Sequence, residues 1–413
     1  MADAPTRLET SLIHAGEPTP RVAGAVTTPI FQSSTFVLDG DGDYHDLRYL
    51  RLSNSPTHLA LQAKLAVIEG GEDALVTGSG MAAISTALLS QLGAGDHLLV
   101  QRDLYGGTHS LITRDLARLG VEHTFIDPGD PASWAAAAAA RPRTRAVYVE
   151  AISNPLLRIG DLPAIAAFAR ERGLVSIIDS TFASPVNFRP IVHGFDLVVH
   201  SCTKFLNGHT DLVAGAVIGR APLVNAAKRT LDHVGGVLDP HACFLLQRGM
   251  KTLVLRVRHQ NQSALAIARW LEAHPGVAAV HYPGLDRHPD HARACALFSG
   301  FGGVISFEPA GGAAVTERLL AALRLIIHAP SLGGVESLIS RPVGTSHAGL
   351  SPEERERTGI REGLLRLSVG LEAPEDIMED LGQALKAASD EVALRPTYPH
   401  GDLPAGETGA TGA

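Results

Sequence analysis

A chain of 413 residues, 45% hydrophobic and 19% charged, can bury more than one core, and no apolar run in it approaches the roughly 18 residues that a membrane span needs. Its net charge of −8, without a basic cluster, excludes the usual electrostatic footprint of a nucleic-acid binder. Cys202, Cys243 and Cys295 are widely spaced and suit reduced thiols, and the opening MADAPTRLETSLIHAGEPTP has no apolar secretory segment, so a cytoplasmic protein acting on small molecules is expected.

Residues 1–60 show little periodicity, include TTPIFQSSTF and read as an extended arm lying on something else. The first strand is ALVT (74–77), which leads through Gly78-Ser79-Gly80-Met81 into an apolar-periodic helix. Further strands are expected at HLLVQ (97–101), EHTFID (122–127), AVYVEA (146–151), VSIIDS (175–180), LVVHSC (197–202) and GAVIGR (215–220). Several are continuous Val/Ile/Leu blocks, the pattern of strands covered on both faces. Between them, AAAAAA (135–140) reads as an exposed helix by propensity and PAIAAFARERG (163–173) as an amphipathic helix closed by Gly173. The expected core is a doubly wound α/β layer on a mainly parallel seven-stranded sheet.

From about residue 251 the rhythm changes. A long polar helix, RVRHQNQSALAIARWLEAH, precedes two isolated strands, GVISFEP (303–309) and LLRLSVG (364–370), as in a smaller α+β domain. HPDHARAC (288–295) offers His288, His291 and Cys295, but its spacing fits no strong zinc signature and it reads as an exposed helix start, so no metal is expected. The last residues, rich in Gly, Pro, Thr and Ala, read as disordered. The expected organisation is an arm at 1–60, an α/β domain at 61–255, an α+β domain at 256–393 and a tail at 394–413.

The segment HSCTKFLNGHTD (200–211) places one lysine, Lys204, after a buried strand and between the hydroxyls of Ser201 and Thr203. In open α/β sheets, ligands sit beyond the carboxyl ends of the strands. A lysine desolvated there loses proton affinity and can form a Schiff base with an aldehyde. Pyridoxal phosphate is the common biological aldehyde, and it needs an acid against its pyridine nitrogen. Asp179, ending the preceding apolar strand, supplies one. The phosphate needs backbone amides at a helix N-terminus, which Gly78-Ser79-Gly80-Met81 offers. The same stretch reads Gly-x-Gly-x-x-Ala, so an NAD-dependent oxidoreductase with Asp103 on a ribose competes, although it leaves Lys204 and Asp179 without a task.

In chain order stand GAVTTPIFQSSTF, GSGMAAI, LYGGT, EAISNP, DSTFASP, HSCTKFLNGHTD, RGMKTL, SLGGVESL and GLLRLSVGLE. On these motifs the chain, from about residue 8 to about residue 388, resembles the Cys/Met-metabolism (transsulfuration) pyridoxal-phosphate enzymes: cystathionine γ-synthase, cystathionine γ- and β-lyases and methionine γ-lyase. The resemblance implies the fold type I architecture. It implies that Lys204 carries the cofactor as a Schiff base and shuttles protons, that Asp179 pairs with the ring nitrogen, and that Tyr105 stacks on the ring and serves as acid or base. It also implies that Asn154 contacts the ring hydroxyl or substrate carboxylate, and that Gly80, Met81, Ser201 and Thr203 hold the phosphate. Tyr49 and Arg51 would reach the phosphate of a neighbouring subunit, in a homotetramer built of dimers. Arg366 would clamp the substrate carboxylate with help from Ser331, and Glu336 would belong to the substrate side. His14, His209 and His347 fall in matched motifs and are expected to make structural hydrogen bonds.

The departures bear on the substrate. YLRLSNSPTH has one residue more before Pro56 than the family's Y-S-R-x-x-N-P-T, Ser180 replaces an asparagine, and SCTK replaces SATK. His109 and Ser110 stand where cystathionine-handling γ-enzymes carry an arginine, and Gly107 stands where methionine γ-lyases carry a cysteine. The expected reaction is γ-elimination or γ-replacement on a sulfur-containing or homoserine-derived amino acid, of the cystathionine γ-lyase or γ-synthase type. Methionine γ-lyase and cystathionine β-lyase chemistries are the alternatives.

Overall fold

The computed structural model describes residues 7–38, 40 and 44–389. Each of the seven Val/Ile/Leu-rich runs becomes a strand: β1 (Asp73–Thr77), β2 (His97–Gln101), β3 (Glu122–Ile126), β4 (Thr144–Glu150), β5 (Val175–Asp179), β6 (Leu197–Ser201) and β7 (Gly215–Gly219). They form one sheet in the order β1-β7-β6-β5-β4-β2-β3, in which only β7 runs against its neighbours. Alternate residues feed opposite faces: Val147 and Val149 of β4 enter one apolar core, Ala146 and Tyr148 the other. Helices cover both faces, which is why these strands are nearly continuously apolar.

Two helix ends match the sequence expectation in detail. The helix Gly80–Gln91 starts at Ser79, whose hydroxyl accepts from the Ala82 amide at 3.0 Å. The helix Leu162–Arg172 stops at Gly173, which takes the left-handed conformation at φ 64°. The alanine run lies in the helix Pro131–Ala140, where Trp134 is the buried residue.

The second layer is also a sheet. It comprises β8 (Val277–His281), β9 (Val304–Pro309), β10 (Ile327–His328), β11 (Leu338–Ser340) and β12 (Leu365–Ser368), in the order β10-β11-β12-β9-β8. The two strands expected to be isolated are in fact its central antiparallel neighbours, with Leu365 opposite Phe307. These two and the three-residue β11 are buried at every position, but only these two are long enough to stand out as apolar runs. The core of this layer forms from Ile305, Phe307, Leu365 and Leu367 with the helices Leu253–Ala273, Gly312–Ala322 and Pro374–Ser389.

The segment 288–295 also departs from its expected exposure. His288 and Asp290 are buried, and Asp290 accepts from Arg158 Nε at 2.6 Å and the Ile159 amide at 3.1 Å, which ties this segment to the first layer. Among the described residues, no group of three or more acids, histidines and cysteines is placed to hold a metal, and no helix is long and apolar enough to cross a membrane. The expected tail at 394–413 lies outside the described residues.

The N-terminal segment is anchored by a buried lysine. The short helix Leu8–His14 packs on the helix Pro56–Glu69, and Lys64, fully buried, donates to the carbonyls of Leu12 at 2.8 Å and Ile13 at 3.3 Å. Those carbonyls are the unpaired acceptors at a helix C-terminus, where a cation is favoured. Just beyond, Gly16 at φ 76° lies so close to the second helix that a Cβ would stand 2.0 Å from the Ala60 carbonyl oxygen.

Candidate active site

Beyond the carboxyl end of β6 the chain turns tightly, with the Gly208 amide donating to the Lys204 carbonyl at 2.8 Å. The turn is braced from beneath by Arg256, a buried guanidinium that donates to the carbonyls of Phe205 (2.9 Å), Leu206 (3.4 Å) and Gly249 (2.9 Å). Lys204 thereby enters a cavity of about 640 Å³ between the two sheets. Its Nζ donates to Ser331 Oγ at 2.7 Å. Burial lowers its proton affinity to a pKa of about 8, and the nearby Arg366 guanidinium pushes the same way.

Ser331 occupies the left-handed region at φ 106°, a conformation that costs a non-glycine residue on the order of 1–3 kcal/mol. This geometry turns its hydroxyl to Lys204 and its carbonyl to Arg366 Nη2, 3.3 Å away. Arg366 comes from β12 and is 5% exposed, and its Nη1 donates to Asn154 Oδ1 at 3.1 Å. Burial lowers the guanidinium to about 10, and its Nε is buried without a partner. A buried guanidinium with an orphaned donor is a ready site for a carboxylate.

Asp179 ends β5 with one carboxylate oxygen accepting from the Thr181 amide at 2.9 Å. Burial raises its proton affinity, against the opposing pull of Thr181. Across the cavity, Gly80 and Met81 open a helix whose first-turn amides have no intrahelical acceptor. Glycine is required there by proximity, since a Cβ on Gly80 would lie 2.6 Å from the Ser201 Cβ. Thr203 hydroxyl spans the Ala214 peptide, accepting from its amide at 3.0 Å and donating to its carbonyl at 3.2 Å. Tyr105 also lines the cavity, and its ring rests against Gly107, where a Cβ would approach Tyr105 Cε1 to 2.5 Å.

The cavity therefore gathers Lys204, Asp179, Ser201, Thr203, Gly80, Met81, Tyr105, Asn154, Ser331 and Arg366. It does not include Tyr49, Arg51 or Glu336. Arg51 bonds to the Asp232 carbonyl and Tyr44 hydroxyl, with Tyr49 beside it at 5.5 Å, and Glu336 accepts from Thr210 Oγ1 at 3.0 Å. His209 and His347 make hydrogen bonds to the carbonyls of Asn207 (2.7 Å) and Leu104 (3.1 Å). His109 stacks on Phe125 and lines a separate pocket of about 300 Å³. The topology does not support the dinucleotide alternative: β1 pairs only with β7, and β2, which leads to Asp103, is not its neighbour as a dinucleotide-binding unit requires.

Glu150, at the end of β4, escaped the sequence reading although it lines the cavity. Its signal was the one that singled out Asp179, an acid closing an apolar strand. The residues present fit a phosphorylated pyridine aldehyde: an amine with lowered proton affinity, an acid at a neighbouring strand end, helix-start amides for the phosphate, and a guanidinium nitrogen left for a substrate carboxylate.

The comparisons agree. A family model described as "Cys/Met metabolism PLP-dependent enzyme" matches residues 9–386. A cystathionine gamma-lyase of Bacillus subtilis is 42% identical over 379 residues, covering 92% of this chain and 99% of that one. A cystathionine beta-lyase of the same organism is 42% identical over 380 residues, covering 92% and 96%. The crystal structure of a cystathionine gamma synthase from Xanthomonas oryzae pv. oryzae, in complex with aminoacrylate and cysteine, superimposes with a TM-score of 0.89 at 40% identity, covering 94% of this chain and 99% of that one.

Proposed function

The chain belongs to the Cys/Met-metabolism family of pyridoxal-phosphate-dependent enzymes, and from that membership we propose that it performs γ-elimination or γ-replacement on a sulfur-containing or homoserine-derived amino acid. The observation that carries the reading is Lys204, a lysine with a pKa lowered to about 8, held 2.7 Å from Ser331 in a cavity that also contains an unsatisfied guanidinium nitrogen. Bound pyridoxal phosphate supplies an aldehyde for Lys204 and an electron sink for charge developing at the substrate α-carbon.

The chain's own residues do the rest. Asp179 keeps a proton on the ring nitrogen, while the Gly80 and Met81 amides and the Ser201 hydroxyl hold the phosphate. Thr203, whose hydroxyl donates to the Ala214 carbonyl at 3.2 Å, would help to hold the phosphate. Arg366 binds the substrate α-carboxylate, positioned by Asn154 and the Ser331 carbonyl. Lys204 Nζ, steered by Ser331, removes the α-proton and delivers protons to the neighbouring carbons. Tyr105 packs on the ring and exchanges a proton at the substrate amine.

The same proposal includes assembly as a homotetramer of dimers, with Tyr49 and Arg51 completing a neighbour's phosphate site. Their position outside their own cavity supports it. So does the exposed apolar surface of the N-terminal segment, where Val26 is 78% and Val37 87% accessible. A cytoplasmic setting fits the two buried free thiols, Cys202 and Cys243.

A second reading, β-lysis, is favoured by the 42% identity to a relative named cystathionine beta-lyase. Incubating the holoenzyme with cystathionine, methionine, O-acetylhomoserine or O-succinylhomoserine, with and without cysteine, separates the two. 2-Oxobutanoate or a new thioether is expected, and pyruvate as the sole keto acid rejects the γ-assignment.

A further inference from the structure

Glu150 is 4% exposed and forms no salt bridge among the described residues, yet both its carboxylate oxygens are occupied. Oε1 accepts from the Tyr105 amide at 2.7 Å and Oε2 from the Asn154 amide at 3.1 Å. These two amides lie on separate segments, after β2 and after β4. The backbone that carries this side chain is held in turn, because the Glu150 amide donates to Gln101 Oε1 at 2.9 Å. Its register partner on β5 is Asp179, so two acids stand side by side at the strand ends. Burying a carboxylate in such a place is costly unless each oxygen is hydrogen-bonded, and this one is satisfied only by the backbone of two site residues.

Asn154 passes the constraint on. Its Oδ1 receives Arg366, Arg366 reaches the Ser331 carbonyl, and the Ser331 hydroxyl receives Lys204. A continuous polar string thus runs from Glu150 to the reactive amine, with a branch to Tyr105. We propose that Glu150 is a positioning residue for the reaction: its single carboxylate fixes Tyr105 and Asn154 relative to each other, and through Asn154 it aims Arg366 at the substrate carboxylate. The inference rests on the functional reading above. Misplacement of a binding group by about 1 Å costs on the order of a hundredfold in rate, so the string is sensitive to this one side chain.

The test is Glu150→Gln, which keeps the reach but turns one acceptor into a donor facing an amide N–H, alongside Glu150→Asp, which keeps the carboxyl group but shortens the reach. Leaving one buried polar group unpaired at this acid is worth about tenfold or more. Both variants are therefore expected to raise KM for the amino acid by at least about tenfold and to alter the visible circular dichroism of the bound cofactor, which reports ring orientation, while the Kd for pyridoxal phosphate stays within about threefold. A variant whose KM and visible dichroism match the wild type, even with a lower Tm, overturns the proposal. A wild-type protein that neither binds the cofactor nor turns over amino acids overturns the functional reading instead. If neither variant folds, hydrogen exchange on the wild-type holoenzyme decides. Tyr105 and Asn154 amides protected as strongly as β4 sustain the proposal, and exchange at the rate of neighbouring loop amides overturns it.

Discussion

A lysine amine is useful as a nucleophile only when it is unprotonated, and the setting of Lys204 adjusts that balance by burial and by the neighbouring Arg366 charge. With a pKa of about 8 the amine is protonated below that pH and neutral above it. Uptake of pyridoxal phosphate by the apoenzyme, followed by growth of visible absorbance, is thus expected to accelerate with rising pH around a midpoint near 8. A midpoint at the ordinary lysine value contradicts this environment, and Lys204→Ala abolishes the signal. At Arg366, substitution by lysine keeps the charge but removes the planar fork and the free Nε. KM is expected to rise about 10- to 100-fold, in line with loss of a bidentate carboxylate contact, and a KM within threefold of wild type refutes the clamp. Lys204 and Asp179 were legible from sequence because a charged residue ending an apolar run has no packing explanation. Glu150 follows the same rule, but its partners are backbone amides, one of them 45 residues away, which no side-chain pattern records.

Among the elements, the seven strands of the large sheet were legible because helices bury both faces, leaving continuous apolar blocks. The small sheet was half legible. β8 is partly exposed along its length, β10 is two exposed residues, and β11 is three residues long, so none carries a readable period. Pairing between β9 and β12 depends on contacts far apart in sequence, which explains why they read as isolated. Lys64 illustrates what an element costs. Burial lowers its pKa to about 8, opposed by the Glu17 charge. Between about pH 8 and the ordinary lysine value of 10.5, the unfolded chain holds a proton that the folded one lacks. This group therefore contributes a rise in stability with pH across that window, and its burial penalty is fully felt below pH 8. Relative to Lys64→Met, wild-type stability measured by denaturant unfolding is expected to climb by up to about 1 kcal/mol per pH unit there. A parallel pH dependence of the two proteins contradicts the linkage.

For the molecule as a whole, the candidate site sits at the seam of two sheets with separate cores, and the proposed assembly adds a third contributor from a neighbour. Mixing Lys204→Ala with Arg51→Ala protein and allowing subunits to exchange tests this directly. In a mixed pair both defects fall on one site and the other is intact, so about a quarter of wild-type activity is expected after random reassociation. No recovery, with exchange verified by a tag, argues for sites built from one chain each.

The seam also sets an order of manufacture. Lys204 and the Ser331 that holds its amine are 127 residues apart in the chain, and Arg366 lies further downstream still. At ribosomal rates of roughly 5–20 residues per second, the strand bearing the amine leaves the ribosome on the order of ten seconds before its partners. On the proposed roles, the newborn chain thus carries the lysine that anchors the vitamin well before the arginine that grips an amino acid.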